Sequence, residues 1–330
     1  MRPSSLPKKS SSTTQSLKHH SKPLGCPYGT VPIKRTSKED LIRSRTFSES
    51  SFNNVLSRRG DIEQQSILKV APAGQHLAIL GTDKNITTPI YGVHAHINIA
   101  NPTVGNDEFS SAQVWIESGP ADDVNTIQAG WAVAPSLFGD NKTRFFIYWD
   151  AKPNTGCYNQ ICPGFVQVDK DYTVGSVIDQ ISVYDGPQYR MKLAIYQDRE
   201  TGHWWLQAGE EDKFIGYWPN SLFAHMGNQT IQGAEFNAWG GLVKTSQSGL
   251  PSPQMGNGHF PNGDYYEACS IVNLQIMDDF NHFVNINKPG LDFDRYADRP
   301  DCYNIEDRFH SKREDQQYGF LFGGPGGANC

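Results

Sequence analysis

The stretch that decides the fold is Ala112-Gln113-Val114-Trp115-Ile116-Glu117. Successive side chains of a strand point to opposite faces, so Val114 and Ile116 share one face while Gln113, Trp115 and Glu117 share the other. A wholly apolar face beside a mixed face is typical of a strand with one side against a core. The stretch therefore predicts an antiparallel strand of a layered β-protein.

Short runs of similar character fill the chain from residue 75 onward. They are rich in Val, Ile, Tyr, Phe and Trp and are separated by Gly, Pro, Asn and Asp. Ten or more strands at this spacing, with almost no helical periodicity, predict an all-β fold, an antiparallel β-sandwich. The predicted strands are His76–Leu80, Gly92–Ile99, Ala112–Ser118, Thr126–Ala134, Arg144–Tyr148, Gly164–Val168, Tyr189–Tyr196, His203–Gln207, Phe214–Trp218, Glu235–Val243 and Ala268–Met277.

One short helix is predicted before the strands, over Ser37–Arg45. Ser37 followed three residues later by Asp40 is a capping pattern for a helix start.

Composition and charge exclude several classes of protein. The 330 residues are 37% hydrophobic and 19% charged, and no apolar stretch approaches the ~18 residues of a membrane span. A transmembrane protein, a coiled coil and a fully disordered chain are therefore excluded. Residues 1–59 carry 12 Lys and Arg against 3 Asp and Glu, whereas the remainder carries 17 against 32. Residues 1–24 are predicted to be a disordered basic tail, and no groove-reading motif there favours a nucleic acid partner.

Two features of the acidic body favour secretion. Sequons for N-linked glycosylation begin at Asn85, Asn141 and Asn228, and the six cysteines have the local spacing of disulfides. Residues 1–24 have the charge of a secretory signal but lack its apolar run.

A series of ordered motifs resembles the plant neprosin family across roughly residues 22–330. The first of them, Cys26–Arg35, is similar to the end of the activation peptide of that family. The resemblance implies an activation-peptide remnant over residues 25–70 and a lectin-like, neprosin-type β-sandwich over residues 71–330. The other motifs are Ala95–Pro102, Gln113–Ile116, Leu137–Asn141, Arg144–Trp149, Thr155–Tyr158, Cys162–Gln167, Gly216–Pro219, Trp239–Gly241, Gln254–Pro261, Asp301–Asn304 and Phe322–Gly327.

The resemblance implies a secreted glutamic peptidase that cuts after proline with two glutamates facing each other across a cleft. One carboxylate takes a proton from the attacking water while the other donates one, so both acids are required. In the family the first glutamate lies in Asn-Thr-Ile-Glu-Ala-Gly-Trp and the second directly follows Trp-Gly-Gly. The matching positions here are Gln128, within Asn125–Trp131, and Leu242, after Trp239–Gly241.

These two substitutions predict a non-catalytic family member, a pseudopeptidase. Gln128 can still hold a water molecule, but Leu242 offers neither a proton nor a lone pair. Removing a general acid–base group costs about 10²–10⁴ in rate, so no measurable peptidase activity is expected. The expected partners are proline-rich peptides or cell-wall polysaccharides bound in an aromatic cleft. A purely structural wall or storage protein is a third interpretation.

The alternative is an active glutamic-type prolyl endopeptidase that uses other carboxylates. Glu235 lies seven residues before Leu242, so a regular strand turns the two to opposite faces unless a bulge intervenes. Glu117 lies on a different strand. The two interpretations differ in whether two carboxyl groups lie within about 5–6 Å of each other in the cleft.

The resemblance also implies disulfides Cys157–Cys162 and Cys302–Cys330. The family's partner for Cys26 lies upstream of this chain, and Cys269 is expected to be a buried thiol. The absent partner and the absent signal predict an incomplete N-terminus of a secreted, extracellular precursor. A truncated cytosolic product is the alternative.

Two further groups of residues have a functional and a structural interpretation. Trp131 and Trp239 adjoin the altered positions and are candidates for lining the cleft, although such residues more often belong to the core. His94 and His96 share one strand face, but no third ligand accompanies them. An exposed strand face is therefore favoured there, and neither a metal nor another cofactor is expected.

Overall fold

The structure of the protein is a computed structural model. It describes residues 2–7, 26–27, 29–49, 74–82, 88–120, 123–151, 156–227, 233–245, 251–286, 293–306, 318–328 and 330. The helices are α1 (Lys38–Glu49) and α2 (Pro135–Phe138), and the strands are β1 (Gln75–Thr82), β2 (Gly92–Asn98), β3 (Phe109–Ser118), β4 (Asn125–Val133), β5 (Arg144–Asp150), β6 (Cys157–Tyr158), β7 (Val166–Gln167), β8 (Arg190–Gln197), β9 (Trp204–Ala208), β10 (Lys213–Trp218), β11 (Phe236–Lys244), β12 (Cys269–Met277), β13 (Phe283–Asn285), β14 (Phe293–Ala297), β15 (Asn304–Glu306) and β16 (Gly319–Gly323).

The strands form two antiparallel sheets that pack face to face, as the all-β prediction requires. The seven-stranded sheet has the order β14-β1-β11-β3-β4-β5-β6. The nine-stranded sheet has the order β15-β16-β12-β2-β8-β9-β10-β7, and β13 pairs with β12 beside that path. The antiparallel β-sandwich is confirmed.

The alternating pattern of β3 determines which of its faces lies in the core. Ala112, Val114 and Ile116 belong to the large apolar cluster between the sheets, together with Val93 and Ile97 of β2. The intervening residues of β3 point to the other side of the sheet. This arrangement confirms the assignment of faces made from the sequence.

Helix α1 begins where the capping pattern predicts. The Asp40 N–H donates to the Ser37 hydroxyl over 3.0 Å, and the Ser37 N–H donates to the Asp40 carboxylate over 2.9 Å, which is a reciprocal capping box. The backbone hydrogen bond from Ser37, assisted by Arg43, lowers the pKa of Asp40 to about 2. The helix extends to Glu49, four residues beyond its predicted end, and Phe47 packs against Phe109 and Tyr158 of the seven-stranded sheet.

Both disulfides implied by the resemblance are present, Cys157–Cys162 and Cys302–Cys330. The second ties the chain end to the segment before β15. Cys269 is a buried thiol, as expected, and lies beside Asn98.

Residues 2–7 differ from the expectation of a disordered tail over residues 1–24. The backbone of Ser4 and Ser5 donates hydrogen bonds to Asp198, and Pro3 is buried. Residues 8–25 lie outside the described part of the chain. Within that described part, the helices lack the length and apolar character needed to cross a membrane.

The sequence predicted an exposed strand face for the histidine pair of β2. In the structure both side chains are buried. A register shift in β12 between Val272 and Gln275 turns Asn273 toward both rings. His94 donates to the Asn273 carbonyl over 3.0 Å, and the Asn273 side chain lies 3.3 Å from His96 Nδ1. Burial lowers the pKa of His94 to about 4 and lowers the pKa of His96 well below its usual value.

These shifted pKa values predict an acid-labile fold. Because an unfolded histidine titrates near pH 6.5, the unfolded chain binds the proton first as the pH falls, and stability is lost from there through about pH 4. We expect His94→Gln to reduce this loss by on the order of 3 kcal/mol. Urea unfolding at a series of pH values measures the difference, and the partly exposed His282→Gln is the control. Equal pH dependence in wild type and His94→Gln would contradict the prediction.

Candidate functional site

The face of the seven-stranded sheet that points away from the nine-stranded sheet is here called the outer face. The registers of five neighbouring strands define which residues belong to it. These are Leu77 and Ile79 of β1, Phe236, Ala238, Gly240 and Leu242 of β11, Ser111, Gln113, Trp115 and Glu117 of β3, Thr126, Gln128, Gly130 and Ala132 of β4, and Phe146, Tyr148 and Asp150 of β5.

Gln128 lies near the middle of this face with both atoms of its amide in hydrogen bonds. It pairs with Trp115 on one side and Tyr148 on the other. Its Oε1 accepts from Gln113 Nε2 over 2.7 Å, and its Nε2 donates to the Thr126 hydroxyl over 3.3 Å. The amide is therefore held in one orientation by its two neighbours.

The hydrogen bonds of Gln128 are part of a longer row. The Thr126 hydroxyl donates in turn to Glu117 Oε1 over 3.2 Å. The row thus runs from Gln113 through Gln128 and Thr126 to Glu117, and all four side chains are buried. We call these four residues the polar row.

Gln113 is flanked by glycine on both adjacent strands of the outer face. Its partners on the adjacent strands are Gly130 of β4 and Gly240 of β11. A Cβ at Gly130 would collide with the Ala112 carbonyl, so this position requires glycine. Gln113 Oε1 is buried and has no hydrogen-bond partner among the described residues, which leaves an acceptor available beside the two glycines.

Leu242 lies on the same face as Gln128 but in an apolar environment. It pairs with Leu77 and Ser111, and it belongs to a cluster with Ile79 and Phe109. Gln128 pairs with Trp115, four residues along β3 from Ser111, so the two positions are offset by about 13 Å along the strands. Gln113 lies midway between these two levels.

Two buried carboxylates flank Thr126 on the outer face. Thr126 pairs with Glu117 on β3 and with Asp150 on β5. Burial raises the pKa of Tyr148, and the hydrogen-bonded Asp150 together with the nearby Glu117 raises it further. Glu117, Asp150 and Tyr148 therefore form one electrostatically coupled group beside Gln128.

Glu235 is turned away from this group. The pairing of β11 with β3 runs without a register shift from Phe236 to Lys244, so Gly240 and Gly241 introduce no bulge. Glu235 is exposed just before the strand and accepts a hydrogen bond from the Gly119 N–H over 3.2 Å. Of the two carboxylates considered from the sequence, Glu117 is the one on the face of Gln128.

Trp131 and Trp239 do not line the outer face. Both side chains are fully buried in the cluster between the sheets, and Trp131 Nε1 donates to the Asn98 carbonyl of the opposite sheet over 2.7 Å. Their odd separation from Gln128 and Leu242 turns them inward. The cleft-lining expectation is therefore corrected in favour of the core interpretation, and the outer-face aromatic residues are Trp115, Phe146, Tyr148 and Phe236.

The remaining candidate positions are only partly described. Asn141 is exposed before β5, whereas Asn85 and Asn228 lie outside the described residues. The three sequons stay predictions. No group of three or more His, Cys, Asp and Glu side chains suited to a metal ion occurs in the described part of the chain.

The sequence alone did not show that Gln128 has Gln113, Thr126, Asp150 and Tyr148 as neighbours on the outer face. Each has the strand parity of the outer face, but parity within one strand does not tell which residues are neighbours. The registers of β3, β4 and β5 were needed to bring them together.

Fold and site define a disulfide-linked antiparallel β-sandwich with a buried row of amide, hydroxyl and carboxylate groups on one sheet face. The sequence model of the family described as Neprosin matches residues 106–325, which is more than half of the chain. The protein belongs to the Neprosin family.

Solved structures of glutamic peptidases are similar to this chain at low identity. Scytalido-glutamic peptidase with a peptide-based transition state analog is 10% identical, with a TM-score of 0.38 over 76% of this chain and 98% of that chain. SCP-B, a member of the Eqolisin family of peptidases in complex with the tripeptide Ala-Ile-His, is 9% identical. Its TM-score is 0.37 over 76% of this chain and 97% of that chain.

The polar row predicts that loss of the Thr126 hydroxyl lowers the free energy of unfolding. Thr126→Val preserves the shape of the side chain but leaves Gln128 Nε2 and Glu117 without the hydroxyl between them. We expect the free energy of unfolding to fall by about 1–3 kcal/mol. Urea unfolding measures it, with the exposed Thr103→Val as a matched control expected within about 0.5 kcal/mol of wild type. An equal change in the free energy of unfolding for the two substitutions would contradict a stabilising role of the hydrogen bonds in the polar row.

Proposed function

We propose that the protein is a non-catalytic member of the Neprosin family, a pseudopeptidase, whose outer face binds proline-rich peptides or cell-wall glycans. The observation that carries this proposal is the chemistry of the two positions that resemble the family's glutamates. One is the amide Gln128 and the other is the apolar Leu242.

The surroundings of both positions support the loss of acid–base chemistry. A general acid and a general base must exchange protons with the reacting groups. Leu242 has no titratable atom and packs against Leu77, Ile79 and Phe109. The amide of Gln128 is already engaged by Gln113 and Thr126.

The outer face has the features of a surface for an extended ligand. Trp115 and Tyr148 supply aromatic rings, and Gln113 supplies an amide next to two glycines. All three side chains are buried in the structure, so the face binds a ligand only after it is uncovered. A proline-rich ligand is already extended before it binds, so little conformational entropy is lost. Phe47 of α1 covers one end of this face, where it packs against Phe109 and Tyr158. Ligand entry therefore requires that α1 moves away.

An extracellular location follows from the same proposal. The two disulfides are compatible with an oxidising compartment, and the family resemblance implies a secreted plant glycoprotein. The exposed Asn141 supports glycan attachment at one of the three sequons.

The second candidate function is an active prolyl endopeptidase with Glu117 as the acid. One observation favours it: Thr126 connects Glu117 to Gln128 by hydrogen bonds, and Asp150 lies on the other side of Thr126. A glutamine and a glutamate together can orient and activate a water molecule. Such a mechanism would make Glu117, not Leu242, the essential position.

Cleavage of a proline-containing fluorogenic peptide between about pH 2 and 6 tests both candidates. We expect no cleavage by the wild-type chain above the blank, because no acid pair bridges Gln128 and Leu242. The double variant Gln128→Glu, Leu242→Glu restores both family glutamates, and cleavage by this variant alone would show that only the acid pair was lost.

Glu117→Gln is the matched variant in the same assay. Cleavage by the wild type that disappears in Glu117→Gln would overturn the pseudopeptidase proposal and establish the second candidate. Cleavage that survives in Glu117→Gln would overturn both.

A further inference from the structure

Residues 2–7, Arg-Pro-Ser-Ser-Leu-Pro, lie against the turn that follows β8. Two successive backbone N–H groups converge on one carboxylate: Ser4 donates to Asp198 Oδ2 over 2.8 Å and Ser5 to Asp198 Oδ1 over 3.1 Å. The Ser5 hydroxyl donates to Oδ1 over 2.6 Å and accepts from the Arg199 N–H over 3.2 Å. This segment is therefore held by main-chain recognition and by one serine hydroxyl.

Two further contacts fix the direction of the segment. Asn281, in the turn between β12 and β13, donates from its side chain to the Leu6 carbonyl over 3.0 Å. Pro3 is buried against the domain, whereas the side chains of Ser4 and Leu6 are exposed. The domain thus contacts a proline, two consecutive N–H groups, a hydroxyl and a carbonyl of the segment. It leaves the side chains at positions 4 and 6 exposed.

The Asp198 carboxylate also accepts hydrogen bonds from residues of its own turn. Thr201 donates its hydroxyl to Oδ2 over 2.9 Å and the Glu200 N–H reaches Oδ1 over 3.3 Å. Burial by itself raises the pKa of Asp198, but the hydrogen bonds from Ser5, Ser4, Thr201 and Glu200 outweigh it, so the pKa lies below its usual value. A fully buried carboxylate needs such donors, and three of the five come from the segment.

We propose that Asp198, Arg199 and Asn281 form a peptide-binding site for extended Pro-Ser-Ser segments, occupied in cis by residues 2–7. A separate peptide of the same sequence binds to this site when residues 2–7 of the chain itself are released from it. The site lies at the end of β8 in the nine-stranded sheet and shares no residue with the outer face. Its occupancy is therefore independent of whether the outer face binds or cuts peptides.

The test compares the full chain with a full-length variant whose own segment cannot dock. Ser4→Pro together with Ser5→Pro removes both N–H donors from an N-terminal segment and leaves the turn at Asp198 unchanged. The probe is a fluorescent peptide of residues 2–7, followed by anisotropy. We expect saturable binding to the variant and at least tenfold weaker binding to the wild type, because the tethered segment competes at high effective concentration.

Altered peptides provide controls that cannot affect folding of the protein. A peptide with both serines replaced by proline should lose at least tenfold in affinity, whereas a peptide with Leu6→Ala should bind as the parent does. Absence of binding to the variant, or equal binding of the proline-substituted peptide, would overturn the proposal.

Amide hydrogen exchange in the wild-type chain gives a second readout that needs no variant. The Ser4 and Ser5 amides should exchange more slowly than those of a free peptide of the same sequence. Exchange at the rate of the free peptide would also overturn the proposal.

Discussion

Burial of polar groups without partners is costly, and the outer face of the seven-stranded sheet meets this constraint with a continuous row of hydrogen bonds. Gln113 donates to Gln128, Gln128 to Thr126, and Thr126 to Glu117. Each member pairs with the next, and within the row only Gln113 Oε1 lacks a partner among the described residues. Loss of one member therefore removes a hydrogen bond from its neighbours in a region of low dielectric constant. The register of β3 with β4 and β11 follows the same requirement, since a shift by one residue would turn every one of these groups into the apolar core.

The composition of the row bears directly on chemistry at this face. An amide can orient a water molecule, but it does not exchange a proton near neutral or acidic pH. The one carboxylate of the row is at its end, beside Asp150 and Tyr148, and not at the position of Leu242. Acid–base chemistry would therefore need to be centred on Thr126, about two strands away from the apolar cluster around Leu242.

Local patterns in the sequence were sufficient for several elements of the fold. Alternation in β3 predicted which of its faces lies between the sheets, and Ser37 with Asp40 predicted the start of α1, because both signals act over a few residues. The sequence did not predict β6, β13, β14, β15 or β16, which are short strands at a sheet edge, beside the main path of a sheet or near the end of the chain. The faces of Trp131 and Trp239 followed from parity only after β4 and β11 were known to be regular throughout.

The features that the sequence did not predict depend on contacts between residues that are far apart along the chain. The burial of His94 and His96 depends on a bulge in β12, far away along the chain, that brings Asn273 to both rings. The neighbours of Gln128 likewise come from strands whose pairing is set by the whole sheet. The contact of Ser4 and Ser5 with Asp198 joins residues almost two hundred positions apart, and no local pattern in either segment marks it.

The most direct measurement follows the side-chain amide resonances of Gln113 and Gln128 by NMR while an oligoproline peptide is added. The chain would carry Phe47→Ala, which removes the ring contacts of α1 with Phe109 and Tyr158, and the peptide has no backbone N–H groups for Asp198. A non-catalytic binding face predicts that both amide resonances shift and that mass spectrometry finds the peptide intact. Unchanged resonances at saturating peptide, or peptide fragments in the sample, would contradict it.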